Sequence, residues 1–168
     1  RRLGHRTGPW AHGPEATFAA TVLTAFAASA ACMTMLQADL VLHCGESTEG
    51  LYLASLCTVD VASGWTELEP VWGLGAQRVG TAVNHIRQRL PFPLRSLHTD
   101  NGAEFINHTL FNWCRQEKST LSRGRSYRKN DQAYVEQRNW LAIRRQVGYD
   151  RLASKEAHAL LKELYPLL

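Results

Sequence analysis

The sequence predicts a single α/β domain built on a five-stranded mixed sheet, three antiparallel strands followed by two parallel ones, with helices flanking it. Three observations point there. Between Leu36 and Val71 three apolar runs of strand length are joined by Gly-containing turns. From Ala76 onward helix-period stretches alternate with short runs of strand type, the pattern of packed α/β layers. A chain of 168 residues with 45% hydrophobic content can also bury one core of ordinary domain size.

Taken in order, Leu36 to His43 reads as a central strand and Leu51 to Asp60 as a second, joined by the polar turn Gly45 to Gly50. Ala62-Ser63-Gly64 turns the chain into a third strand, Trp65 to Val71, closing an antiparallel meander. Val79, Val83, Ile86 and Leu90 recur at spacings of three and four, so Ala76 to Leu90 is an amphipathic helix, stopped by Pro91. A short run ending at Asp100 is the fourth strand, and Asn101-Gly102 supplies the turn that leaves this carboxylate at the strand's tip. Phe105, Leu110, Phe111 and Cys114 predict one face of a second helix, and Ser119 to Ser122 a fifth strand. Arg123 to Lys129 is a loop by composition, followed by a long helix from Asn130 to Gly148 carrying Val135, Leu141, Ile143 and Val147. A last helix, Ser154 to Tyr165, uses Ala157, Leu160, Leu161 and Leu164 as its apolar face.

Residues 1–35 stand apart from residues 36–168. Arg1, Arg2 and Arg6 precede a charge-free Ala/Thr-rich run from Ala16 to Ala38, which has the form of a signal peptide and the length of a membrane span. Ala and Thr where Leu, Ile and Val would be expected argue against both. Two accounts stay open: a segment read out of frame in a GC-rich gene, or an Ala-rich N-terminal helix. Cys32, Cys44, Cys57 and Cys114 form no Cys-x-x-Cys pair, so reduced thiols are expected in place of a disulfide framework or zinc knuckle.

Lys+Arg 19 against Asp+Glu 15 gives a net charge of +4, which permits a nucleic-acid partner without demanding one. Its distribution says more. Arg115, Lys118, Arg123, Arg125, Arg128, Lys129, Arg138, Arg144 and Arg145 crowd into one stretch, which also carries Glu136.

Three acids occupy positions that suggest a metal site across a sheet and a helix: Asp39 in the first strand, Asp100 at the tip of the fourth and Glu136 in the long helix. Thirty-five residues separate the last two. That order and gap, the string His98-Thr99-Asp100-Asn101-Gly102-x-Glu104-Phe105 and the run Tyr127-Arg128-Lys129-Asn130-Asp131 resemble the catalytic core of bacterial insertion-sequence transposases and retroviral-type integrases of the Asp-Asp-Glu class. The resemblance covers roughly residues 36 to 165. It implies a ribonuclease-H-like fold, as does the element order. It also implies DNA as partner, both transposon ends and target, two Mg²⁺ or Mn²⁺ ions held by Asp39, Asp100 and Glu136, a homodimer or higher oligomer when active, and a cytoplasmic, nucleoid-associated location without membrane contact.

Strands one and four are expected side by side, bringing Asp39 to Asp100, with the Glu136 helix closing the site from the sheet's edge. Arg125, Arg128 and Lys129 are expected on DNA phosphates, with Tyr127 stacking on a displaced base. Gln132 and Asn139, sharing a helix face with Glu136, complete the expected DNA contacts. The family often places a basic residue four beyond the glutamate; here that position is Trp140, expected with Trp113 in the core, while Arg144 or Arg145 compensates or is solvated. Asp60 is expected to cap its turn and Asp131 the long helix. Glu104 either approaches the site or caps a helix, and His43 is assigned to the strand's other face and set aside as a ligand. A catalytic core, a truncated non-catalytic remnant that at most binds DNA, and a ribonuclease-H-like nuclease are the three readings compatible with these residues.

Overall fold

A computed structural model describes residues 34–125 and 129–168, with backbone alone at 129 and 130. The sheet has the order β3-β2-β1-β4-β5, formed by β1 (Met35–Leu42), β2 (Leu53–Asp60), β3 (Thr66–Trp72), β4 (Ser96–Thr99) and β5 (Thr120–Arg123). β1–β2 and β2–β3 pair antiparallel, β1–β4 and β4–β5 parallel. This is the mixed sheet expected from the sequence, and the fold is ribonuclease-H-like. Thr34, ahead of β1, is already tied in by its Oγ1 donating to Pro93 O at 2.6 Å. The expectations for residues 1–33 lie outside the described residues.

Helices cover both faces of the sheet because β1 alternates. Its even positions, Leu36 and Ala38, join Val79, Val83 and Ile86 of α1 (Ala76–Arg89) and Leu110 and Cys114 of α2 (His108–Gln116) in one core cluster. Its odd position Val41 joins the other, with Val135, Ile143, Leu161 and Tyr165. α1 keeps the three-and-four spacing of its buried residues and ends where Pro91 removes the next amide donor. α2 begins later than expected. Asn107 caps it by accepting from Leu110 N–H at 2.8 Å while donating to Glu104 O at 2.7 Å. Phe105 therefore lies buried in the preceding turn, and Phe111, expected on the apolar face, is 50% exposed.

The long helix is a composite rod: a 3₁₀ turn (Lys129–Gln132), α3 (Ala133–Arg138), a π segment (Asn139–Arg144) and a last turn, α4 (Arg145–Val147). The π segment solves a register problem. Along an uninterrupted α-helix Ile143 would point roughly 80° away from Val135. Wider π turns take up that difference, and both side chains end fully buried against the sheet. α5 (Lys155–Leu164) follows, capped by Ser154 Oγ accepting from Ala157 N–H at 3.0 Å. Leu160, expected on its apolar face, is exposed at 65%, because the face turned to the core is centred on Leu161, with Ala157 and Leu164 beside it.

The rod also departs from expectation in place. It lies across a face of the sheet, over β1 and β2, instead of closing the site from an edge. Asp131 is not its cap: Gln132 holds the N-cap position of α3 without a side-chain capping bond, and Asp131 is taken by Arg125. Asp60 does cap its turn, accepting from Ser63 N–H at 2.9 Å and Ser63 Oγ at 2.6 Å.

Candidate active site

The odd face of β1 presents Gln37, Asp39 and Val41 in succession, and the rod answers each. Gln37 Nε2 donates to Asp131 O at 2.9 Å, and its Oε1 accepts from Val135 N–H at 3.1 Å. Asn139 Nδ2 donates to Asp39 Oδ2 at 2.7 Å, and Leu40 N–H donates to Asp39 Oδ1 at 2.8 Å. Val41 packs in the cluster of Val135 and Ile143. One strand face thus sets the rod's height and rotation.

Asp100 reaches the same end of the sheet through strand register. β1 and β4 run parallel to the pair Ala38 and Thr99, so the next residues out are Asp39 and Asp100. The Asp100 carboxylate is steadied by Gly102 N–H at 3.0 Å. The approach is close: a Cβ on Gly102 would meet the Glu104 carboxylate at 2.5 Å and push that flexible side chain aside. Glu104 is thus folded back over the Asp100 turn and caps no helix. Glu136 is exposed on the rod and makes no hydrogen bond with its side chain among the described residues.

Asp39 senses the other two carboxylates. Burial pushes the Asp39 carboxyl above its ordinary range, the Leu40 amide and the Asn139 amide pull it back, and the charges of Asp100 and Glu136 raise it again. Cys57, directly across β2 from Asp39, is buried, and burial together with the Asp39 charge pushes its thiol up to about 12. It is an inert neighbour.

As a cation site, the set fits in kind, since three carboxylates offer the oxygen donors that hard dications take, and bound cations would relieve their repulsion. The spacing is looser. Among the described residues no three His, Cys, Asp or Glu side chains are gathered closely enough to hold an ion.

Several expected DNA contacts have other work in the structure. Gln132 is buried, its Nε2 donating to Ala38 O at 3.2 Å. Asn139 serves Asp39, a role that no local spacing revealed, because its partner lies a hundred residues away. Arg125 is forked on Asp131, through Nε at 3.1 Å and Nη2 at 2.8 Å, and holds that carboxyl well below the usual range, although its own side chain is 74% exposed. Tyr127 and Arg128 lie outside the described residues, as does the side chain of Lys129.

Arg144 is structural: it donates to Leu42 O at 3.1 Å and Gly148 O at 3.2 Å and lies over the Tyr149 ring. Trp113 meets expectation, half-buried with Nε1 donating to Asn84 Oδ1 at 3.2 Å. Trp140 does not, being 53% exposed. His43 shares the face of Asp39, because a separation of four preserves strand parity. It is still no ligand: its ring is buried in the core with Nε2 2.7 Å from Ser55 Oγ, which also bonds the Tyr165 hydroxyl. A cavity of about 530 Å³ beside the Asp100 turn, lined by Phe105, Ile106, Phe111 and Leu121, contains no acid and is distinct from the reaction centre proposed below.

Comparison with known proteins supports the fold. The chain is similar to the catalytic core domain of BIV integrase, with a TM-score of 0.55 and 21% identity over 77% of this chain and 79% of that one. It is also similar to a chain of the simian T-cell lymphotropic virus intasome solved with the PP2A regulatory subunit B56 gamma, with a TM-score of 0.56 and 16% identity over 76% and 46% of the two chains. In sequence it is 42% identical over 132 residues to the uncharacterized protein y4rM of Sinorhizobium fredii strain NGR234, matching 79% of this chain. The chain spans 38% of that relative's length. No protein-family model matches.

Proposed function

We propose that this chain is the catalytic core of a DNA transposase or integrase, acting by metal-dependent phosphodiester hydrolysis and strand transfer. The observation that carries the reading is the meeting of Asp39 and Asp100 at adjacent strand ends with Glu136 close enough to raise the Asp39 pKa. These three residues would hold two Mg²⁺ or Mn²⁺ ions, which when bound neutralise phosphate charge, activate the attacking oxygen and stabilise the leaving one.

The chain's own contribution is orientation. Asp39 is held by two donors and Asp100 by the Gly102 amide, so both offer their remaining lone pairs from fixed positions. Glu136, whose side chain makes no hydrogen bond among the described residues, supplies the adjustable third carboxylate. The reaction is a one-step in-line attack at phosphorus, first by water and then by a DNA 3′ hydroxyl, with no covalent enzyme intermediate. DNA is the partner, engaged through phosphate contacts from Arg128 and Lys129 and stacking by Tyr127, and paired ends call for a dimer or larger assembly.

A second reading, a DNA-binding remnant without turnover, draws on the loose spacing of the acids. The two part on one experiment. A pre-formed branched DNA substrate supplies positioning that separate end-binding domains would otherwise give. With Mg²⁺ or Mn²⁺, the proposed core transesterifies this substrate, and Asp39→Asn, Asp100→Asn or Glu136→Gln each abolishes turnover. Folded wild-type protein that is inert with both metals leaves the remnant reading.

A further inference from the structure

The rod presents a second feature on the side where Glu136 faces out. Trp140 follows one turn after Glu136, and its indole is 53% exposed with no hydrogen-bond partner among the described residues. Arg145 follows one π turn after Trp140: the Arg145 N–H bonds Trp140 O, the five-residue step of that helix type. Arg145 is exposed and its guanidinium is unpaired among the described residues, whereas Arg144 beside it is consumed by backbone carbonyls. Acid, indole and cation therefore climb one side of the rod in consecutive turns.

That order is not demanded by packing. Val135 and Ile143 anchor the rod, and Asn139 faces the sheet, so Trp140 contributes no fully buried surface. A large apolar ring left in water beside a phosphodiester-directed carboxylate matches the flat face of a nucleobase, and a free guanidinium one turn on matches the next phosphate.

We infer that Trp140 is a stacking platform for one unpaired nucleobase next to the phosphodiester at Glu136, with Arg145 neutralising the flanking phosphate. This rests on the functional reading above and adds to it a substrate preference: DNA frayed or single-stranded beside the reacting bond, over continuous duplex. Trp140 is a positioning residue, since it touches the neighbouring base and not the reacting atoms.

The test uses the full 168-residue chain with three DNA probes of one sequence: single strand, blunt duplex, and duplex with a short unpaired end. Binding is read by fluorescence anisotropy of labelled DNA and by the tryptophan emission that wild type has and Trp140→Phe lacks. The expected result is quenching of that difference emission by the unpaired probes. Trp140→Ala should weaken binding of those probes roughly ten- to hundred-fold, with little change for blunt duplex, and Trp140→Phe should restore most of it.

Replacing the adjacent base by an abasic site should reproduce the loss in wild type and add nothing in Trp140→Ala. Arg145→Ala should lower the salt slope for the unpaired probes by about 1. Equal loss across all probes, or an abasic penalty that persists in Trp140→Ala, overturns the inference while leaving the core reading intact. Wild type that binds none of the probes removes both. Because the side chain is half in solvent, thermal unfolding of Trp140→Ala should match wild type, so a folding defect would itself contradict the assignment.

Discussion

Asn139 hands its amide to Asp39 across a hundred residues of chain, with Nδ2 2.7 Å from Oδ2, and so ties the rod to the first acid. The other amide atom, Oδ1, is buried and has no hydrogen-bond partner among the described residues. Asn139→Ala should therefore lower metal-free stability by about 1–3 kcal/mol in urea unfolding, because a half-buried carboxylate oxygen loses its donor. Asn139→Asp should cost more than Ala, through repulsion between two facing carboxylates.

Neutralising the first acid should have the opposite effect on stability. The folded pKa of Asp39 is raised, so ionisation above that pKa weakens the fold. Asp39→Asn should raise the metal-free melting temperature at neutral pH while abolishing turnover, and Mg²⁺ or Mn²⁺ should stabilise wild type more than the variant. A lower melting temperature for Asp39→Asn would contradict this balance.

Gln37 and Gln132 link β1 to the rod through Asp131 O, Val135 N–H and Ala38 O. Gln132→Ala should lower the melting temperature and leave the salt dependence of DNA binding unchanged. Gln37→Ala, losing two bonds, should be the more destabilising of the pair, by about 1–3 kcal/mol.

Asp131 holds the Arg125 guanidinium and would compete for it with the DNA proposed above. Asp131→Ala should free that guanidinium and steepen the dependence of log affinity on log salt by about 1. Arg128→Ala and Lys129→Ala should each flatten it by about 1, equally across sequences. Titrating binding against salt for all three variants checks both directions.

His43 gives the fold an acid-side limit. Burial, and then the Arg144 charge, lower its pKa from the ordinary 6.5 to about 4, so it is neutral in the folded protein. As pH falls from about 6.5 to about 4, the unfolded chain takes up a proton that the folded chain does not, and roughly 3 kcal/mol is lost across that window. Below it this group adds no further slope. Comparing wild type with His43→Gln by urea unfolding across pH isolates the effect from the carboxylates.

What could be read in advance followed from local rules. Alternation marked the strands, three-and-four spacing marked α1, and Asn101-Gly102 marked the turn that leaves Asp100 at the sheet's end. What escaped were polar residues whose partners lie far along the chain. Gln132 and Asn139 read as DNA contacts on the face of Glu136 because nothing within a turn of them explains burial; the explanation is Ala38 and Asp39. Trp140 escaped for another reason. Its spacing from Val135 and Ile143 is judged against a uniform 3.6 period, and the π segment breaks that period at Asn139.

The central place of β1 also has a bearing on synthesis. Its partners β2 and β4 and its amide donor Asn139 are all made after it, so Asp39 leaves the ribosome long before the groups that orient it. Closing such distant pairings is slow and comes late, since most of the loop entropy must be surrendered first. A nascent chain that ends between Asp100 and Val135 carries the first two acids but not Glu136, and the rod's anchor Ile143 comes later still. On the functional reading proposed above, half-made copies are thus chemically silent, and competence arrives with the last turns of the rod.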